Sequence, residues 1–519
     1  MDMKYSFFRK KRSMTNQRNA GRQSSQTSFD GNLAGKLAQN LNAIKDMYDN
    51  PSDLVVREME LKNLKGKCAL VYIDGLADKN LVNEQIIRNI LLFADENVHD
   101  PVSITDLSLK LLSVSAVTEV SSFDEVSLAI LSGDAALFLD NFDNALIIGS
   151  KGYETRSLEE PITEGVIRGP RIGFVENIRT NTALVRRDIR DQNLRMKAYK
   201  VGRRSKTDAV VLYVDGIVHP DIVKEVERRL KSIDIDDVLE SSYIEEFIED
   251  STLSPFPQIQ NTERPDKVSA ALLEGRVAIL LDGTPFALIV PSVFMHFLQS
   301  PEDYFERWIP ASFLRSLRYL TAFIALFAPA LYIALVSFQQ GMIPSKLAFS
   351  IAATREGVPF PAVIEAFLMI ITMEILQEAG SRLPKPIGQT VGIVGGLVIG
   401  EAAVSAGIVS PIMVIVVALT AISTFTIPAY NFGTTIRILR YFFMIAAATL
   451  GFFGLIMVYI AVNIHLINLK SFGMPYTVPF APSFYGDWRD LVFRTPHTAM
   501  KQRPTYTDPE DETRMKGSQ

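Results

Sequence analysis

Between residues 387 and 411 four glycines, Gly388, Gly392, Gly396 and Gly400, recur at every fourth position. Glu401 follows the last of them, inside an otherwise uncharged run of about 24 residues. On a helix this spacing lines the glycines along one face, where a neighbouring backbone can come close. Such a face either packs helix on helix or leaves room for ions and water along a pore wall. A carboxylate is costly in lipid, so Glu401 must face protein or water. As structure it would hydrogen-bond across helices; as function it would line a polar pathway. Two further acids, Glu374 and Glu378, lie in the apolar run 360–380 and share a helix face, with Glu365 roughly opposite. For that pair the structural reading leads, because both lie near a helix end and Arg382 stands four residues after Glu378.

The rest of the chemical inventory is sparse. There is no GxxxxGK[ST] loop, no zinc-type Cys/His spacing and no Ser-His-Asp signature. One cysteine, Cys68, and five scattered histidines supply no metal cluster and no internal disulfide. His296 and His465 read as ordinary polar residues. Asp74-Gly75 and Asp215-Gly216 close apolar runs as turns, which backbone geometry explains. The sequence implies neither an enzyme nor a cofactor.

The elements that must position the membrane acids divide the 519 residues, of net charge −5, into a charged part and an apolar part. Mean hydropathy is +0.15, high for a soluble protein. Residues 1–36 are polar and basic with no apolar h-region, which reads as a disordered arm on the cytosolic side rather than a signal peptide. The arm could touch anionic lipid headgroups.

Residues 37–307 follow an α/β pattern that repeats. Ala69 through Gly75 (ALVYIDG) returns as Val210 through Gly216 (VVLYVDG), about 141 residues on. Val126 through Val290 contains a second pair: a helix, a Gly stop, a strand, a tight turn and a strand, at nearly the same offset. The expectation is two tandem α/β subdomains with mixed sheets, at 37–164 and 208–307, joined by a basic connecting segment, 165–207. That segment carries Arg168, Arg171, Arg179 and Asn181 and lacks interleaved aromatics, so a subunit interface is favoured and nucleic acid is not.

Residues 308–468 read as an all-α transmembrane domain of four or five helices. The apolar runs are 320–338, 360–380, 387–411, 412–427 and 441–464. Five spans satisfy the positive-inside rule at Arg382/Lys385 and Arg437/Arg440 but put the tail, 469–519, outside. Four spans, with 360–380 interfacial, put it inside, as the tail's own arginines ask. The tail reads as a segment with little regular structure.

Several long motifs carry a resemblance. They are Asn50-Pro51-Ser52-Asp53, Arg168-Gly169-Pro170-Arg171 running to Asn181, Ser254-Pro255-Phe256-Pro257, Glu374 through Gly380, and the glycine ladder. Over about residues 45–485 the chain resembles the A subunit of GerA-type nutrient germinant receptors of spore-forming bacteria, and the related stage V sporulation protein AF group. The resemblance implies a protein of the spore inner membrane, with a transporter-like B subunit that binds the nutrient and a C-type lipoprotein subunit. It implies a homo-oligomer forming an ion-conducting path that opens on nutrient binding. A non-conducting scaffold that organises the other subunits is the competing reading. A secondary transporter is disfavoured because no second, inverted membrane half is present.

Overall fold

The computed structural model describes residues 31–61, 66–95, 117–152, 160–161, 163–382, 396 and 398–515. The charged part folds as two subdomains of one topology. The first has helix α1 (Leu37–Met47), then β1 (Leu54–Leu61) and β2 (Gly66–Ile73), a π-helix (Leu81–Ile87) running into α2 (Arg88–Asp95), then β3 (Val117–Val120), α3 (Phe123–Leu131), β4 (Ala135–Leu139) and β5 (Ala145–Ile148). The second has α4 (Ile178–Asp188), β6 (Leu194–Val201), β7 (Thr207–Val214), α5 (Pro220–Lys231), α6 (Ser241–Ile248), β8 (Gln260–Thr262), α7 (Pro265–Leu273), β9 (Val277–Leu281) and β10 (Ala287–Val290). The strand orders are β1-β2-β4-β5-β3 and β6-β7-β9-β10-β8.

Every pairing in both five-stranded sheets is antiparallel, which corrects the expectation of mixed sheets. A single helical crossover returns a parallel neighbour. Here the chain between β2 and β4 also makes the edge strand β3, so it reverses once more and β4 runs against β2. Each sheet buries both faces. Ala69, Val71 and Ile73 enter one core while Cys68, Leu70 and Tyr72 enter another. Alternate side chains of a strand point to opposite faces, so the continuous apolar run reflects two covered faces.

The repeat extends to the helices. Asn40 in α1 clamps its own chain, with bonds to the Ala34 N–H (2.8 Å) and C=O (2.7 Å). Asn181 in α4 does the same at Val175, at 2.8 and 2.5 Å. Helix α4 and edge strand β6 therefore start the second subdomain, although both fall in the segment expected to be a connector. The subdomains are locked by a buried ion pair: Arg186 donates to both Asp53 carboxylate oxygens at 2.9 and 3.1 Å.

The apolar part is a helical bundle. Helix α8 (Glu302–Phe305) leads into α9 (Trp308–Ser337), followed by α10 (Ser345–Arg355), α11 (Ala362–Arg382), a helical stretch at 398–405, α12 (Pro411–Phe425) and α13 (Tyr430–Asn468). Two of these, α9 and α13, are long and apolar enough to cross a membrane.

Helix α13, read from sequence as a single span at 441–464, folds back on itself at Gly451, which has φ +62°. Phe443 before the break and Tyr459 after it both pack on Phe327 of α9, at 4.8 and 6.0 Å between ring centroids. Near its start, Thr435 bonds the Pro255 carbonyl; near its end, His465 bonds Ser254 at 2.8 Å. The Gln339 side chain accepts the Phe452 N–H at the fold-back (3.2 Å), satisfying a donor freed by the break. The first arm of α13 runs parallel to α9 and the second returns. Helices α11 and α12 run the opposite way to α9: Tyr332 meets Ser410, and Thr321 meets Thr426.

Residues 469–515 contain only the two-residue strands β11 (Lys470–Ser471) and β12 (Met474–Pro475) and single helical turns. They are nevertheless packed, with Tyr476 and Val478 buried.

Candidate functional site

The acids of the bundle occupy distinct layers. At mid-length of α9, Glu374 of α11 accepts two bonds from Arg437 of α13, the Nε one at 2.7 Å, and lies 3.6 Å from Arg440. Arg440 is buried and completes its bonding with the Ala325 carbonyl (2.8 Å) and Thr424 (2.7 Å). This layer ties four helices together, α9, α11, α12 and α13. Glu378, one turn further on, is exposed and pairs with Arg382 at 2.6 Å across one helical turn.

About two turns deeper along α9 lies a second layer, which sequence reasoning did not select. Glu365 is fully buried, at 0% exposure, and accepts the Ser410 N–H (2.9 Å) at the start of α12. Its other oxygen lies 2.9 Å from the Arg355 guanidinium, an ion pair without a well-aligned hydrogen bond. Tyr332 of α9 closes the group at 3.3 Å from Ser410 Oγ. The signal was present in the sequence, an acid inside an apolar run. Its partner Arg355 was hidden in a stretch too polar to read as a span.

Glu401 is placed differently from both. It lies on the helical stretch 398–405 with its side chain exposed, among the exposed residues Val398, Ile399 and Ala402. Of the ladder, Gly400 is buried, and a side chain there would meet Val414 of α12 at an ordinary 3.5 Å. Gly396 faces open space. Gly388 and Gly392 lie outside the described residues. Among the described residues, then, Gly396 and Gly400 meet no unusually close helix neighbour, and Glu401 is exposed.

The soluble candidates fall on contacts within the chain. Asn181 is the backbone clamp described above. Arg179 donates to the Ser52 carbonyl (3.4 Å) and lies 4.0 Å from Asp74, both in the first subdomain. Arg168 and Arg171 are exposed and loosely paired with Glu306 (3.9 Å) and Glu160 (3.7 Å). A polar hollow of about 360 Å³ separates the subdomains beside the Asp53–Arg186 pair, lined by Asn50, Ser52, Arg195, Lys197 and Tyr199 among others. Among the described residues no group of three or more His, Cys, Asp or Glu side chains could hold a metal ion.

Residues 42–506 match the family model described as Bacillus/Clostridium GerA spore germination protein. The chain is 48% identical over 482 residues to spore germination protein GerLA of Bacillus cereus, covering 93% of this chain and 97% of that one. It is 46% identical over 480 residues to spore germination protein B1 of Bacillus subtilis, covering 92% and 99%. Among solved structures it is similar to the N-terminal domain of the A subunit of the Bacillus megaterium spore germinant receptor GerK3. That match has 35% identity and a TM-score of 0.42, over 51% of this chain and 98% of that chain. The chain belongs to the GerA family of spore germination proteins.

Proposed function

We propose that the chain is the A subunit of a nutrient germinant receptor in the spore inner membrane. It oligomerises there, with a transporter-like B subunit and a C-type lipoprotein, into an ion path that opens on nutrient binding. The observation that carries this reading is the position of Glu401. A carboxyl side chain on the outside of an apolar bundle is costly against lipid. Its face is therefore covered by another copy of the chain or lines water between copies.

The tail supports an even number of crossings. It is bonded to the second subdomain at Leu273, Glu274 and Ile217, so the N-terminal region and the tail lie on one side of the membrane. That side is the cytosolic one in this reading. The fold-back of α13 reconciles this with the positive-inside signals at Arg437 and Arg440, because the last apolar run leaves and returns.

Glu401→Gln tests the pathway. Spores carrying it should contain the protein at a level within twofold of normal and release monovalent cations at least tenfold more slowly after nutrient addition. Normal release would sink the role of Glu401. The alternative of a non-conducting scaffold draws on the size of the soluble half, residues 31–307 locked by a buried ion pair. It predicts that the purified chain carries no current in planar bilayers, alone or with its partners.

A further inference from the structure

The tail joins three parts of the molecule that are far apart in sequence. Where it leaves α13, Ser471 donates to the Gln258 carbonyl (2.7 Å) and accepts the Ser292 N–H (3.0 Å), both in the second subdomain. It then crosses the start of α9. There Asp303, 1% exposed, receives Arg315 (3.1 Å) and both terminal nitrogens of Arg318 (2.7 Å each). Arg315, fully buried, also donates to the Asp490 carboxylate at 2.7 Å and to the Asp490 carbonyl at 3.0 Å. Tyr304 donates to Asp490 at 2.6 Å. Arg494 of the tail donates to the Asp303 and Glu306 carbonyls at 2.6 and 2.9 Å, and its own N–H meets Ser312 Oγ at 3.0 Å.

Beyond this joint the tail reaches the second subdomain again. Arg503 donates to the Leu273 carbonyl (2.8 Å), Thr507 to the Glu274 carbonyl (2.9 Å), and the Glu510 N–H to the Ile217 carbonyl (2.9 Å). Tyr506 meets His296 Nε2 at 2.8 Å. The Val293 N–H donates to His296 Nδ1 (3.2 Å), so the ring proton sits on Nε2 and points at Tyr506. Burial first, then Arg276 and Lys267, holds His296 well below its usual pKa, so this contact stays neutral.

We infer that the tail is a coupling strap: it fixes the second subdomain rigidly to the first membrane helix, with Asp303, Arg315 and Asp490 as the pin. The linker at 298–307 and the α13 contacts at Ser254 and Pro255 already tie the subdomain to the bundle along one edge. The strap adds a further attachment, anchored at both ends, in which Arg315 reaches both Asp303 and Asp490 only when all three segments meet. Losing one partner leaves an uncompensated buried charge, so the joint is held in one arrangement. The inference deepens the gated-path reading by naming the element that carries a movement of the soluble half into the membrane.

Cys68 is the sole native cysteine and is buried, so two introduced cysteines can be labelled selectively in a Cys68→Ala chain. Nitroxides at Leu239 on the second subdomain and Ile309 at the start of α9, both exposed, report the angle between the two parts. In the full chain, reconstituted with its partners, the distance distribution should be narrow. A chain ending at residue 496, and separately Asp490→Asn, should widen it at least twofold. In spores both should lower nutrient-evoked ion release at least tenfold, with protein level within twofold. An unchanged distribution in both variants overturns the strap. A widened distribution with normal ion release leaves the mechanical joint standing and overturns the gated-path reading. If the shortened chain fails to accumulate, Arg503→Gln with Tyr506→Phe decides, since it removes only side-chain bonds at the far end.

Discussion

At the scale of single residues, the buried charges carry the most stability information. Asp53 and Arg186 are 2% and 0% exposed and bond each other bidentately. Removing one member of such a pair strands the other, at about 3–5 kcal/mol. Asp53→Ala should therefore destabilise the full chain in detergent by about that amount, read from denaturant midpoints, whereas Asp53→Leu with Arg186→Met should recover most of it. Asp53 belongs to a motif that could be quoted from sequence, but its partner 133 residues away could not be named without the fold.

Two further acids give a pH signature. Burial, then Glu249 and Glu240, pushes Glu245 up to about 7; burial, then Glu246 and Asp250, pushes Glu249 up to about 7. Both folded values lie above the ordinary 4.5, so between about 4.5 and 7 the folded chain holds protons that the unfolded chain has released. Stability should fall as pH rises through that window. Glu245→Gln should raise the thermal midpoint at pH 8 and leave it unchanged near pH 4; a gain of equal size at both would refute the assignment.

At the scale of elements, the fold-back of α13 is decided by one residue. Gly451 has φ +62°, and a Cβ there would meet Phe338 Cβ at 2.8 Å. A β-branched residue in that conformation is strained by about 1–3 kcal/mol before the clash is counted. Gly451→Val should lower the thermal midpoint in detergent, while Gly433→Val, which meets nothing within 4 Å, should not. The sequence shows 441–464 as one apolar run because hydropathy does not register direction. A left-handed glycine and a capping glutamine from just beyond the end of α9 turn it back. The repeat, by contrast, was legible down to its offset, because each copy must bury both faces of its sheet and so keeps the same apolar strands. Its strand directions were not legible, since the edge strands β3 and β8 are short and weakly patterned.

At the scale of the whole molecule, the tail's bonds to the second subdomain bear on the proposed membrane topology. Single cysteines at Leu253 in the second subdomain and Lys501 in the tail should react with a membrane-impermeant maleimide from the same side of sealed vesicles. Met342, beyond the far end of α9, should react from the other. Labelling of Leu253 and Lys501 from opposite sides would refute an even number of crossings. In the proposed topology the two conflicting orientation signals in the sequence come from reading the α13 arms as one span.

The sequence by itself determined the division into a charged α/β repeat and an apolar helical half, the family, and the acids inside the apolar runs. All of these follow from hydrophobic periodicity and local motifs, which act over a few turns of chain. Only the tertiary structure decided which acids are paired. Glu374 is neutralised by Arg437, Glu365 by Arg355, and Glu401 is left facing outward, because pairing depends on which helix faces which. It also decided that an irregular tail is a packed strap. Arg315, Asp303 and Asp490 acquire meaning only when segments almost 200 residues apart come together, and no local pattern of residues records that meeting.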